Sequence, residues 1–83
     1  MTTDDLTRTV RELVAHRIGR PTDEVPPDAP LIGLGVDSLG IVGLIVDLEQ
    51  HFSVRLPATV ITQQMFQSAR TVATALRGLA EIR

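Results

Sequence analysis

Residues 34–39, Leu-Gly-Val-Asp-Ser-Leu, lead from a glycine turn directly into an apolar run. Asp37 is suited to cap a helix here, because a carboxylate accepts hydrogen bonds from the unpaired N–H groups of the first turn. Ser38 then falls at about the first helical position, with its hydroxyl facing outward. A helix N-terminus carries a partial positive charge and spare donors, which would stabilise a phosphate on that hydroxyl. The stretch therefore predicts an exposed serine suited to hold a phosphodiester.

Two other interpretations of Ser38 arise from the residues alone. A catalytic serine needs a base and an orienting third group, and the only histidines, His16 and His51, have no evident route to it from their spacing. Asp-Ser ahead of an apolar run is also ordinary capping chemistry. The first interpretation is disfavoured, whereas a purely structural role stays open.

Composition limits the class of protein. Eighty-three residues make one small domain, predicted to span 1–83, with little room for a buried active site. The hydrophobic content is 43%, with two Phe and neither Trp nor Tyr, which favours an aliphatic helical core. The absence of cysteine excludes disulfides and thiolate metal sites, and we expect no metal. An acidic start and the lack of an apolar run near ~20 residues predict a cytoplasmic protein without a membrane segment. An initiating Met and a helix that ends at the last residues favour a discrete protein, and we expect a monomer.

Charge is unevenly distributed along the chain. Residues 21–54 contain six acids and no Arg or Lys, whereas the eight basic residues, all arginines, lie in the flanks. The acidic segment includes Ser38. We expect its negative field to steer basic protein surfaces toward the serine and to repel nucleic acid.

Hydrophobic periodicity predicts an all-α fold. Three long helices are expected over Thr3–Ile18, Asp37–Phe52 and from Ser68–Thr71 to about Ile82, and a single helical turn over Thr62–Phe66. Gly19 would end the first helix. The proline-rich segment 20–36 should form a long loop, pinned to the core by Leu31, Ile32 and Leu34. Met65 and Phe66 are expected in the core.

The second helix carries two apolar stripes. A core stripe is formed by Ile41, Leu44, Ile45, Leu48 and Phe52. Leu39, Val42 and Val46 fall on an adjacent face beside Ser38, and we call these three residues the apolar strip. The strip is either an exposed docking surface for partner proteins or, for Val42 above all, a surface packed against a short neighbouring helix.

The spacing of the 35–39 motif, Leu44, Leu48-Glu49, Phe52 and Leu56-Pro57 resembles the acyl and peptidyl carrier protein family over about residues 6–79. The resemblance implies a four-helix bundle with a short third helix and a long first loop. It also implies a 4'-phosphopantetheine arm on Ser38, attached from coenzyme A by a phosphopantetheinyl transferase. The segment 66–72 is most similar to stand-alone carriers of polyketide and nonribosomal peptide biosynthesis.

The implied function is to hold acyl or aminoacyl groups as thioesters on that arm, without catalysis by the chain itself. Expected partners are an acyl- or aminoacyl-loading ligase or adenylation enzyme and acyltransferase or synthase modules. The expected recognition surface consists of Asp37, Leu39, Val42, Val46, Asp47 and Glu49. The alternatives are a fatty-acid carrier, a part of a larger synthase, and a small helical interaction domain without a prosthetic group.

One departure from the family concerns the two positions that follow the serine by two and five residues. Fatty-acid carriers usually have acids there, whereas this chain has Gly40 and Gly43. Each glycine costs a helix interior roughly 1 kcal/mol relative to alanine. We interpret the pair as allowing close approach by a partner backbone, with recognition that is more apolar and less acidic than in fatty-acid synthesis.

Overall fold

The computed structural model describes residues 2–82, which contain three α-helices and two short 3-10 helices. The α-helices are α1 (Thr3–Ile18), α2 (Ser38–Phe52) and α3 (Ala69–Ile82), and the 3-10 helices cover Thr22–Glu24 and Ile32–Leu34. α1 packs against both α3 and α2. The predicted all-α class is confirmed. None of the described helices is both long enough and apolar enough to cross a bilayer.

The ends of α1 follow from local chemistry. The Thr2 hydroxyl accepts the Asp5 amide at 3.2 Å, which caps the start of the helix. Gly19 ends it with φ +70°, and its N–H donates to the carbonyls of Ala15 and His16. A left-handed residue at this position favours glycine, since it has no Cβ to clash. The predicted limits of α1 are confirmed at both ends.

The core is aliphatic and lies between the three helices. α2 contributes the fully buried Leu44 and Leu48, while Ile41, Ile45 and Phe52 pack half-buried at its edge. The predicted core stripe of this helix is therefore confirmed. The remaining buried residues come from α1, α3 and the loops, and include Val10, Val14, Val25, Leu31, Met65, Phe66, Val72 and Leu76.

The single helical turn expected over Thr62–Phe66 is present, but it does not extend to the short third helix that the resemblance implies. Residues 57–67 form consecutive turns, and the Phe66 amide reaches the Thr62 carbonyl at a long 3.4 Å. The Thr62 hydroxyl accepts from the Met65 amide at 3.1 Å, the same i to i+3 pattern that caps α1 and α2, and so starts this turn. The β-branched run of Val60, Ile61 and Thr62 disfavours a longer helix. The described residues thus contain three α-helices rather than four.

The long first loop, residues 20–36, is fixed to the helices by hydrogen bonds. Arg11 Nε donates to the Val25 carbonyl at 2.6 Å, and the Leu31 amide donates to the Gln67 carbonyl at 2.9 Å. Leu31 is buried and Leu34 half-buried, as expected. The expectation for Ile32 was wrong: its side chain is 83% exposed, because the 3-10 turn at Ile32–Leu34 points it away from the core.

Candidate functional site

The start of α2 has the predicted cap. Asp37 has extended backbone geometry, and its Oδ1 accepts a hydrogen bond from the Gly40 amide at 2.8 Å. Ser38 is the first residue of α2 and is exposed. The serine hydroxyl therefore lies at the positive end of the helix, within reach of solvent.

A tight turn delivers this cap. Gly35 ends the 3-10 helix with φ +95°, a geometry that favours glycine. Val36 follows as a buried residue, and its amide donates to the Leu31 carbonyl at 3.1 Å. With Val36 anchored in the core, Asp37 and Ser38 project outward. Burial of one residue thus fixes the exposure of the next two.

An open cleft of about 840 Å³ lies beside Ser38. Ser38 and Ile41 of α2 form its floor, and its walls come from the first loop and from the turns between α2 and α3. Its apolar lining includes Ile32, Ile41, Ile61 and Phe66, and its polar lining includes Thr62, Gln63 and Gln67. An Arg70–Asp28 ion pair, 2.7 Å from Nε to Oδ1, links the wall formed by the first loop to α3.

The apolar strip is uncovered. Leu39, Val42 and Val46 are 81%, 59% and 46% exposed. The turns between α2 and α3 do not cover Val42, so the alternative of packing against a neighbouring helix is not observed. Ile32, which lines the cleft together with Ser38, is a further exposed aliphatic side chain. The exposure of Ile32 was missed in the sequence because its aliphatic neighbours suggested a buried run.

The acidic residues of the expected recognition surface have different environments. Asp37 is exposed and caps α2. Asp47 Oδ2 lies 2.9 Å from Arg17 Nε of α1, and Glu49 Oε2 accepts the Leu56 amide at 2.9 Å. The last two carboxylates therefore have intramolecular partners, which spacing along the chain does not reveal.

These ion pairs alter the expected negative field. Arg17, Arg20 and Arg70 approach three of the six acids of the 21–54 segment, namely Asp47, Glu24 and Asp28. The hydrogen bond to Asp47 is the main reason that the pKa of the Arg17 guanidinium is raised. The field around Ser38 is consequently weaker than the linear separation of charges predicts.

The two glycines of α2 have intramolecular neighbours. A Cβ at Gly43 would collide with the Arg17 guanidinium, which crosses the helix there to reach Asp47. A Cβ at Gly40 would lie 3.2 Å from Val36 Cγ1 and 3.3 Å from Asp37 Oδ1. Side chains of this chain therefore lie beside both glycines, and the interpretation that the glycines admit a partner backbone stays a prediction.

His51 is too far along α2 to act as a base for Ser38. His51 lies near the opposite end of the same helix, where its ring meets that of Phe52 edge-on at 4.9 Å. Thirteen residues of helix separate it from Ser38, which corresponds to about 20 Å. His16 is exposed in the last turn of α1. The surroundings of the serine fit esterification better than nucleophilic catalysis.

Comparison with known proteins agrees with this arrangement. Residues 8–76 match the family described as "Phosphopantetheine attachment site". The chain is 36% identical over 59 residues, 71% of its length, to the non-reducing polyketide synthase ausA of Penicillium brasilianum. It is 39% identical over 54 residues, 65% of its length, to the 5-methyl-1-naphthoate synthase of Streptomyces sahachiroi. It spans only 2% and 3% of the length of these two relatives.

The phosphopantetheine-attachment family consists of non-catalytic carrier domains. An exposed serine at a capped helix start, beside a mixed cleft, is compatible with that role. The chain belongs to the phosphopantetheine-attachment family. Its cofactor is accordingly a covalently attached 4'-phosphopantetheine, and the predicted family is confirmed.

Proposed function

We propose that Ser38 is the attachment residue and that the chain carries acyl intermediates between enzymes of polyketide biosynthesis. The position of Ser38 supports this most directly: it is exposed and opens α2 beside the cleft. The names of the two relatives support the polyketide assignment. Aminoacyl cargo of nonribosomal peptide pathways is chemically compatible, but no contact in the structure favours it.

The residues around Ser38 fit such an arm. A phosphodiester on its hydroxyl would meet the positive end of α2, where the capped first turn provides a favourable field. The cleft offers both apolar side chains, such as Phe66, and amide side chains, such as Gln63 and Gln67. An arm with amide and methylated sections would find partners of both kinds there. When attached, the arm supplies the terminal thiol that binds cargo as a thioester.

The chain itself contributes by holding the cargo close to the enzymes that bind the carrier. A cargo tethered to Ser38 stays near any enzyme that binds the carrier, so its local concentration far exceeds that of a free substrate. Attachment at the first residue of a helix, rather than within the core, leaves the tether free to enter another active site. In this function, the side chains of the protein themselves make and break no bonds of the cargo.

Partner enzymes would dock on the surface around Ser38. The proposed contact residues are Asp37, Leu39, Val42, Val46, Asp47 and Glu49, the set predicted from the sequence. We expect the partners to be a phosphopantetheinyl transferase, a loading ligase or adenylation enzyme, and acyltransferase or synthase domains. The exposure of the apolar strip supports this surface most strongly.

Intact-mass measurement after incubation with coenzyme A and a broad-specificity phosphopantetheinyl transferase tests the attachment residue. The unmodified chain should gain the mass of one phosphopantetheine group, and Ser38→Ala should gain none. Ser53→Ala is the matched control, because Ser53 is an exposed serine at the other end of α2. Modification of Ser38→Ala, or failure of the native chain in a mixture that modifies a reference carrier, would overturn the proposal.

A further inference from the structure

Arg17 is a residue of α1 that borders the proposed docking side of α2. Its guanidinium crosses the position of Gly43 and reaches Asp47, with Nε 2.9 Å from Oδ2. At 100° per residue, Gly43 and Asp47 lie next to the apolar strip on the helical wheel of α2. The ion pair therefore lies along one border of the strip. Only glycine at position 43 leaves this space for the guanidinium, because a Cβ there would collide with it.

The opposite border of the strip is similarly engaged. Glu49 lies beside Val42 on the helical wheel, and its carboxylate accepts the Leu56 amide at 2.9 Å. Asp37, at the Ser38 end, is an exposed acid without an arginine partner among the described residues. Most of the outward-facing area between these borders is aliphatic. Arg17 and Arg20 line a pocket together with Asp37 and Leu39. A partner with many cations would therefore find few carboxylates available and two arginines nearby.

We propose that Arg17 selects partners: by binding Asp47 across Gly43, it removes a carboxylate from the docking face and makes an apolar enzyme surface the preferred occupant of the strip. This inference rests on the proposed carrier function. It adds Arg17 to the recognition residues and assigns Asp47 an indirect role. Charges at the rim of an interface mainly affect association rate and salt dependence, so salt dependence is the property that Arg17 controls.

The experiment measures modification kinetics of the apo chain by a phosphopantetheinyl transferase with a basic docking face, at salt from about 0.05 to 0.5 M. A basic probe enzyme is chosen because any released carboxylate then meets a cation. For the native chain, KM should change by less than about threefold over this range, because few exposed ion pairs form. Leu39→Ser should raise KM at least about fivefold at every salt concentration, with kcat unchanged, as expected for a buried apolar contact.

Arg17→Gln should release Asp47. Its KM at low salt should fall about threefold below that of the native chain and rise steeply with salt. The double variant Arg17→Gln with Asp47→Asn should return to the native salt dependence, since it carries no released carboxylate. Arg8→Gln is the charge-matched control, because this exposed residue lies two and a half turns away on α1.

The outcomes separate the two proposals. A chain that never gains the phosphopantetheine mass fails the proposed function. If the native chain is modified normally but its KM depends steeply on salt, only the role of Arg17 is overturned. The same holds if Arg17→Gln and the native chain have the same salt dependence, or if the double variant behaves like Arg17→Gln. Circular dichroism of each variant confirms that the fold is intact.

Discussion

Asp37 Oδ1 accepts the amide of Gly40 at 2.8 Å, and the absent side chain of Gly40 leaves the space in which that carboxylate lies. The cap and the glycine thus form one arrangement that fixes Ser38 as the first residue of α2. A carboxylate at this end also interacts favourably with the helix dipole. The place of Ser38 at the start of α2 consequently depends on Asp37 before it and on Gly40 after it.

Asp37→Ala should lower the free energy of unfolding by about 1 kcal/mol, the usual cost of losing an N-cap. For a domain of this size, that corresponds to a fall in Tm of about 4–8 °C. Thermal unfolding followed by circular dichroism measures it. Asp37→Asn should lose less, because its side-chain oxygen still accepts the Gly40 amide. Equal losses in the two variants would show that the acceptor oxygen is not what matters.

Arg11→Ala should destabilise the fold by roughly 1.5–3 kcal/mol, as expected for hydrogen bonds from a charged donor. Arg11 holds the first loop through the Val25 carbonyl at 2.6 Å and the Thr22 carbonyl at 3.2 Å. Urea unfolding measures the change. Arg8→Ala, an exposed substitution on the same helix, should stay within about 0.5 kcal/mol of the native chain. Comparable effects of the two substitutions would refute the role assigned to Arg11.

Ser53→Gly should stabilise the protein. Ser53 ends α2 with φ +53°, a left-handed conformation that costs other L-residues roughly 1–2 kcal/mol. Glycine removes that cost, but gains about 0.4–1 kcal/mol of freedom in the unfolded chain. A net gain of about 0.5 kcal/mol is expected from these two terms. Ser53→Ala keeps the strain and should show no gain; a drop in Tm for Ser53→Gly would contradict the argument.

Gly43→Ala should also raise Tm, since alanine in a helix interior is favoured by about 1 kcal/mol over glycine. The new methyl group displaces the end of the Arg17 side chain, which is flexible and can turn toward solvent. Gly40→Ala is the matched comparison. Its methyl group meets the buried Val36 at 3.2 Å and the capping carboxylate at 3.3 Å, neither of which can move freely. Differential scanning calorimetry should show a larger gain for Gly43→Ala, and the reverse order would disprove this interpretation.

Local patterns predicted the helices well. The stripes of α1 and α2, the Gly19 stop and the Asp37 cap are all set by residues a few positions apart, so sequence spacing contains the information. The same holds for the exposure of Leu39. Features that depend on which segments meet in space were harder to predict. Arg17 and Asp47 lie 30 positions apart, and nothing in either neighbourhood indicates the other.

Two expectations about the fold differ from the structure, the short third helix and the buried Ile32. The first came from the family resemblance, and the second came from the aliphatic neighbours of Ile32. In the structure, the Thr62 hydroxyl caps a single turn over Thr62–Phe66, and the β-branched residues before it disfavour a longer helix. Ile32 lies in a 3-10 helix with three residues per turn, so Leu31 and Leu34 share the inward face and Ile32 points away from it. Hydrophobicity alone does not determine the direction of a side chain in a turn.

The anchored first loop has a consequence for molecular recognition. Its backbone is tied to α1 by Arg11, to the turns by the Leu31 amide and to α3 by a bond from the Arg70 amide to the Pro27 carbonyl at 2.9 Å. A visiting enzyme that touches Ile32 therefore meets a segment that has already lost its conformational entropy during folding. Complex formation requires no further ordering of this segment, which favours rigid-body encounter. Rapid exchange between successive enzymes is then compatible with an unchanging scaffold.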